Sequence, residues 1–114
     1  MGSNLEIDVV DRHGWAVLVV QGEFDVLTAP RVRDRLLELL GAGRRRVVVD
    51  LEWVEFLDSS GLGALVAGLK MARRGDGDMR LVCHHQRSVL KVLEVTGLDR
   101  ILDCYTSVDA AVAA

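Results

Sequence analysis

Residues 46–66 read RVVVDLEWVEFLDSSGLGALV, and the fold is decided within them. Arg46 to Leu51 is a continuous apolar run that ends at a carboxylate. Such runs suit a central strand covered on both faces, because neither face has to meet water. Two hydroxyls and a carboxylate, Asp58-Ser59-Ser60, then stand before Gly61-Leu62-Gly63. Behind them Leu62, Leu65, Val66 and Leu69 recur at helical spacing. A buried strand, a polar turn and an amphipathic helix therefore follow one another. Glu52 to Leu57 reads as the connection between strand and turn.

Working outward gives the remaining elements. Leu5 to Val9 alternates apolar and polar as a half-buried strand does. Arg12-His13-Gly14 is a turn, and Trp15 to Val20 is a more deeply buried strand, so the two form a hairpin. Thr28 is placed to cap a helix with Ala29-Pro30 in its first turn; Val32, Leu36, Leu39 and Leu40 share one face, and Gly41 and Gly43 end it. After the central helix, Arg73-Arg74 sits where cations oppose the dipole favourably, and residues 75–78 (GDGD) form a turn. Met79 to Cys83 is a strand, Ser88 to Thr96 a helix stopped by Gly97, Ile101-Leu102 a short edge strand, and Ser107 caps a last helix through Ala113. The predicted order is β-β-α-β-α-β-α-(β)-α. It describes an α/β fold with a mixed, largely parallel sheet of four to five strands, an N-terminal hairpin and about four helices.

Composition bounds the function. The 114 residues fit one domain spanning 1–114, half of them hydrophobic and 27% charged, as in a globular chain. The net charge of -3 argues against direct nucleic-acid binding, and Arg44-Arg45-Arg46 reads as a solvated loop before a strand. No segment approaches the ~20 apolar residues that span a bilayer, and the N-terminus lacks the pattern of a signal peptide. A Met-Gly start is followed by Glu6 where myristoylation wants Ser or Thr. Two cysteines, Cys83 and Cys104, are too few for a disulfide scaffold, so a reduced, cytoplasmic setting is expected. Arginine outnumbers lysine amid many Ala, Val and Gly residues, which points through codon usage to a GC-rich bacterial genome.

Enzymatic readings are poorly supported. A nucleophile elbow around Ser59 needs glycine where Leu57 stands, and no histidine among His13, His84 and His85 has an evident acidic partner. Gly61 and Gly63 open a dinucleotide fingerprint, but Val66 holds its third position. Cys83-His84-His85 are consecutive and alternate faces in a strand, so no metal or other cofactor is expected. Asp58 reads first as a helix cap. Gly61 and Gly63 are odd in a first turn, since glycine costs roughly 0.5–1 kcal/mol in helices. Bare backbone there is explained if another surface approaches closely.

The chain resembles the anti-sigma factor antagonists of bacterial partner-switching systems, which are single STAS domains. The resemblance rests on GEFDVLTAP (residues 22–30), VVDL (48–51), FLDSSGLG (56–63), LV (81–82) and VTGL (95–98). It implies a non-enzymatic regulator of transcription. It implies too that Ser59 is the phosphorylated serine, in the following cycle. The unphosphorylated form binds an anti-sigma factor, a serine kinase of the histidine-kinase-like ATPase type, and frees a sigma factor; phosphorylation releases it. A metal-dependent serine phosphatase reverses the cycle.

The implied partner surface comprises Asp58, Ser59, Ser60, Gly61, Leu62 and Gly63 with Glu23, Asp25 and Thr28 from the loop after the second strand. A turn and helix cap accounts for Thr28 but leaves Asp25 without a structural role. The helix N-terminus is expected to tolerate a phosphate through its free amides and dipole. The chain is expected to be a monomer or weak dimer, off the membrane. Two other readings are a STAS scaffold without sigma-factor output and a small nucleotide-binding domain.

Overall fold

The computed structural model describes residues 4–83 and 85–113. The readings that touch Met1, Gly2 and His84 therefore lie outside the described residues. The elements are β1 (Leu5–Arg12), β2 (Trp15–Phe24), α1 (Ala29–Gly41), β3 (Arg46–Leu57), α2 (Ser59–Arg74), β4 (Asp78–Val82), α3 (Arg87–Thr96), β5 (Asp103–Tyr105) and α4 (Val108–Ala113), with a 3₁₀ turn at Leu98–Arg100.

The five strands lie in the sheet in the order of the chain, β1 antiparallel to β2 and the others parallel. In the hairpin Arg12 pairs with Trp15, and His13 and Gly14 between them both adopt positive φ (51° and 84°). That two-residue turn matches the twist of the strands it joins.

Because the strand order never reverses, right-handed crossovers place successive helices on the same face. Val32 and Leu36 of α1, Leu65 and Leu69 of α2, and Val89 and Leu93 of α3 accordingly share one core with Leu18, Val47, Val49 and Leu51. Val17, Val48 and Val82 project from the other face into a second cluster with Ala111 and Val112 of α4. The run RVVVDL is apolar at every position from 47 to 49 because both of its faces are covered.

Three expectations are corrected. Glu52 to Leu57 is not a connection but the second half of β3. The pairing with β2 shifts twice along it: β3 advances from Asp50 to Trp53 while β2 advances from Val19 to Gln21, and from Val54 to Phe56 while β2 advances from Gly22 to Glu23. Each shift inserts one extra residue in β3, a bulge that breaks the two-residue alternation by which a strand is recognised.

The edge strand is Asp103–Tyr105, one step beyond Ile101-Leu102. Leu102 instead closes the core beneath the 3₁₀ turn at 1% exposure. Thr28 stands at the N-cap position of α1 but gives that helix no side-chain hydrogen bond. Ser107 does cap α4, its hydroxyl accepting the Ala110 amide at 3.0 Å. The arginine run lies at the opposite end of β3 from Ser59; Arg44 pairs with Asp11, while Arg45 and Arg46 line a cavity with Asp76 and Asp78.

Candidate functional site

The site is built where β2 and β3 end side by side. The Asp58 amide donates to the Phe24 carbonyl at 3.3 Å, tying the turn after β3 to the end of β2. Asp58 has extended backbone, and its Oδ1 accepts the amides of Ser60 (2.9 Å) and Gly61 (3.2 Å). It is the N-cap of α2, as its side chain and position predict. The next amide, of Leu62, bonds the Asp58 carbonyl at 3.1 Å.

Two of the amides expected to be free for a phosphate are committed. The amides of Ser60 and Gly61 are already taken by Asp58, so a phosphate on Ser59 would meet the helix dipole but also a neighbouring carboxylate. Replacing Asp58 with Ala should destabilise the fold by ~1 kcal/mol, and Asn should restore most of it. Urea denaturation followed by tryptophan fluorescence checks this; an unchanged midpoint for the Ala variant would refute the cap's contribution.

Ser59 is the first residue of α2 and is exposed. Ser60 and Leu62 are half-buried, and Leu62 packs on the core. The two glycines differ. A Cβ on Gly61 would lie 2.5 Å from Leu57 Cδ1 and 2.9 Å from the Phe24 carbonyl oxygen, whereas one on Gly63 would meet nothing within 4 Å. Gly61 is buried and is demanded by packing inside the chain, so it presents no surface to a partner. Gly63 is exposed and does.

The loop after β2 is braced from within. Asp25 Oδ1 accepts the amides of Leu27 (2.9 Å) and Thr28 (3.1 Å). The Thr28 hydroxyl donates to the Glu23 carbonyl at 2.6 Å and accepts the Asp25 amide at 2.9 Å. Asp25 therefore has the structural role that the sequence did not show. Thr28, only 2% exposed, is an internal brace and not a contact residue. Glu23 is exposed and Asp25 half-buried.

What the braced loop offers to solvent is Val26 and Leu27, 64% and 66% exposed. Val26, Pro30 and Arg33 form one wall, and Ser60, Gly63 and Ala67 the other, of a groove of about 410 Å³ between α1 and α2. Val26 and Leu27 were not among the site residues expected from the sequence, and of the two only Val26 lines the groove. Their signal was two large apolar residues inside a turn between Asp25 and Thr28.

Other candidate chemistry is not assembled. Among the described residues no group of three or more His, Cys, Asp or Glu side chains is placed to hold a metal. Cys83 is buried, and burial first, then the charges of Glu52, Cys104 and Asp50, pushes its thiol up to about 12, far from a reactive thiolate. No helix among the described residues is long and apolar enough to cross a membrane.

The STAS domain family matches residues 4–111. The anti-sigma-B factor antagonist of Bacillus subtilis is 31% identical over 100 residues, covering 88% of this chain and 90% of that protein. The protein of the same name from Staphylococcus aureus is 31% identical over 99 residues, covering 87% and 91%. The crystal structure of an anti-sigma factor antagonist from Mycobacterium paratuberculosis superposes with a TM-score of 0.88 at 29% identity, covering 96% of this chain and 92% of that one.

Proposed function

This chain belongs to the STAS domain family, and from that premise we propose that it is an anti-sigma factor antagonist switched by phosphorylation of Ser59. The observation that carries the reading is the contrast among the polar side chains at the site. Asp25, Thr28 and Asp58 are committed to internal hydrogen bonds, while Ser59 stands exposed at the first turn of α2 with no side-chain hydrogen bond among the described residues.

The partner is an anti-sigma factor with serine-kinase activity. Its surface packs into the groove between α1 and α2, over Val26, Leu27 and Gly63, and so comes directly against Ser59. This chain contributes binding, not catalysis. Docking frees the sigma factor. The kinase transfers the terminal phosphoryl group of ATP to Ser59 Oγ: the new O–P bond forms as the bond to the bridging oxygen breaks, ADP leaves, and the hydroxyl proton is released to solvent. The product carries about -1.5 to -2 charges beside the Asp58 carboxylate, inside the interface.

Since Asp58 already occupies the Ser60 and Gly61 amides, the amide of Ser59 itself is the first-turn donor left to that charge, which enters the interface beside a like charge, and the complex separates. A metal-dependent serine phosphatase resets the switch in the cytoplasm. The test is capture from the host lysate with the native chain, followed by ATP and peptide mapping. Retention of an ATPase that then phosphorylates Ser59 is the expected result. If the captured set contains no kinase, or phosphate appears elsewhere, the chain is a scaffold and not a switch.

A further inference from the structure

The arginine run before β3 borders a second groove, at the far end of the α1–α2 pair from Ser59. Leu40 from the end of α1 and Met71 and Ala72 from the last turn of α2 floor it. Arg44, Arg45 and Arg74 rim it, with Gly43 and Gly75 beside them, around a volume of about 530 Å³. Leu40 and Met71 are half-buried, so the floor stays partly open.

The arginines at this end differ in what already engages them. Arg44 pairs with Asp11, and Arg73 donates to the Ile101 carbonyl at 2.9 Å. Arg45 and Arg74 are exposed and make no ion pair or side-chain hydrogen bond among the described residues. Nor are they needed to close the helices. The Gly43 and Arg44 amides donate to the Leu40 and Leu39 carbonyls, both at 3.1 Å. The Gly75 and Gly77 amides donate to the Ala72 carbonyl at 3.2 and 2.7 Å.

The charge of the groove runs against that of the chain. The sequence carries a net charge of -3, yet no carboxylate lines this groove. The adjoining cavity, which shares Arg45, differs, because Asp76 and Asp78 line it and offset its arginines. An apolar floor with uncompensated guanidinium groups at its rim fits carboxylates flanking an apolar centre, since the guanidinium fork matches a carboxylate. A nucleic acid fits poorly. No aromatic side chain lines the groove to stack on a base, and the net charge of the chain repels a polyanion.

We propose that this groove docks an acidic segment of a partner protein. One apolar side chain of the segment rests on Leu40 and Met71, and carboxylates on either side of it reach Arg45 and Arg74. Ser59 and Arg74 stand at opposite ends of α2, about 22 Å apart along its axis. Salt screens exposed charges over about 8 Å at physiological ionic strength, so a charge at Ser59 does not reach the groove. Docking here is therefore independent of the state of Ser59. A partner held in this groove gains effective concentration at the Ser59 end without competing for that surface.

Backbone and methyl NMR of the full chain tests this. The probes are a short peptide of Glu and Asp around a central Leu, the same peptide with Gln and Asn for the acids, and a single-stranded oligonucleotide. Saturable shifts of the Gly43 and Gly75 amides and the Met71 methyl are expected with the acidic peptide alone, at an affinity that falls as salt is added. Replacing its central Leu with Ser should weaken binding. Arg45→Gln combined with Arg74→Gln should weaken it about tenfold and leave the fold intact, since both side chains are exposed. Ser59→Asp should change nothing, and neither should Arg87→Gln, an exposed position at the start of α3. The proposal is overturned by absence of saturation at millimolar acidic peptide, or by equal binding of the neutral peptide. Undiminished binding by the double arginine variant, or oligonucleotide binding that moves the same signals at lower concentration, overturns it as well.

Discussion

Ser59→Asp is expected to lose about a thousandfold in affinity for the anti-sigma factor, while Ser59→Ala binds as tightly as the native chain. A thousandfold is ~4 kcal/mol. That is the scale of one buried charge left without a partner, and several features of the site deliver it together. Residue 59 opens α2 beside the groove formed by Val26, Ser60 and Gly63. Asp58 next to it already carries a carboxylate and already holds the Ser60 and Gly61 amides.

The added negative charge therefore enters the interface beside a like charge, with the amide of residue 59 the one first-turn donor that Asp58 leaves it. Its effect on the isolated fold should stay within about 0.5 kcal/mol, because the position is exposed and the helix dipole partly offsets the repulsion from Asp58. Calorimetric titration of the captured kinase with both variants, beside urea denaturation of each, separates the two effects. Equal affinities for the Asp and Ala variants would end the switch reading.

The second large effect divides two glycines that look alike in sequence. Gly61→Ala should destabilise the chain by about 2–3 kcal/mol, the cost of forcing an extra methyl into a packed site. The new Cβ would press on Leu57 Cδ1 at 2.5 Å, which can turn away, and on the Phe24 carbonyl oxygen at 2.9 Å, which cannot without moving the backbone. That carbonyl also accepts the Asp58 amide, so the cap would be disturbed with it.

Gly63→Ala meets nothing within 4 Å and should stabilise the helix by about 0.8–1 kcal/mol, the difference in intrinsic propensity. The same methyl narrows the groove and should weaken the partner complex. Denaturation midpoints and partner affinities of the two variants are the readout. A Gly61→Ala chain as stable as the native one would contradict the packing, and a Gly63→Ala chain that binds with native affinity would place the partner elsewhere.

The sequence was legible wherever one local rule acted alone. RVVVDL announced a strand covered on both faces because Val47, Val48 and Val49 are apolar in succession, with no polar residue alternating among them. The spacing of Leu62, Leu65, Val66 and Leu69 announced the helix behind it, and Asp58 before it was recognisable as a cap because capping joins residues two and three apart. The hairpin at His13-Gly14 and the Ser107 cap were readable for the same reason. The Asp58-Ser59-Ser60-Gly61 signature pointed to a family and to a modifiable serine.

Tertiary structure alone decided the rest. Whether Gly61 or Gly63 faces a partner depends on Phe24 and Leu57, which lie on other elements. Thr28 turned from helix cap to internal brace because its hydroxyl oxygen accepts the Asp25 amide instead of a helix amide, while its proton goes to the Glu23 carbonyl at the end of β2. Asp25 acquired a role only once the loop had closed on itself. Glu52-Trp53 read as a connection because the bulge that gathers them with Asp50 is a mismatch of register between two strands. Register is a relation between chain segments some thirty residues apart, and no pattern within either segment encodes it.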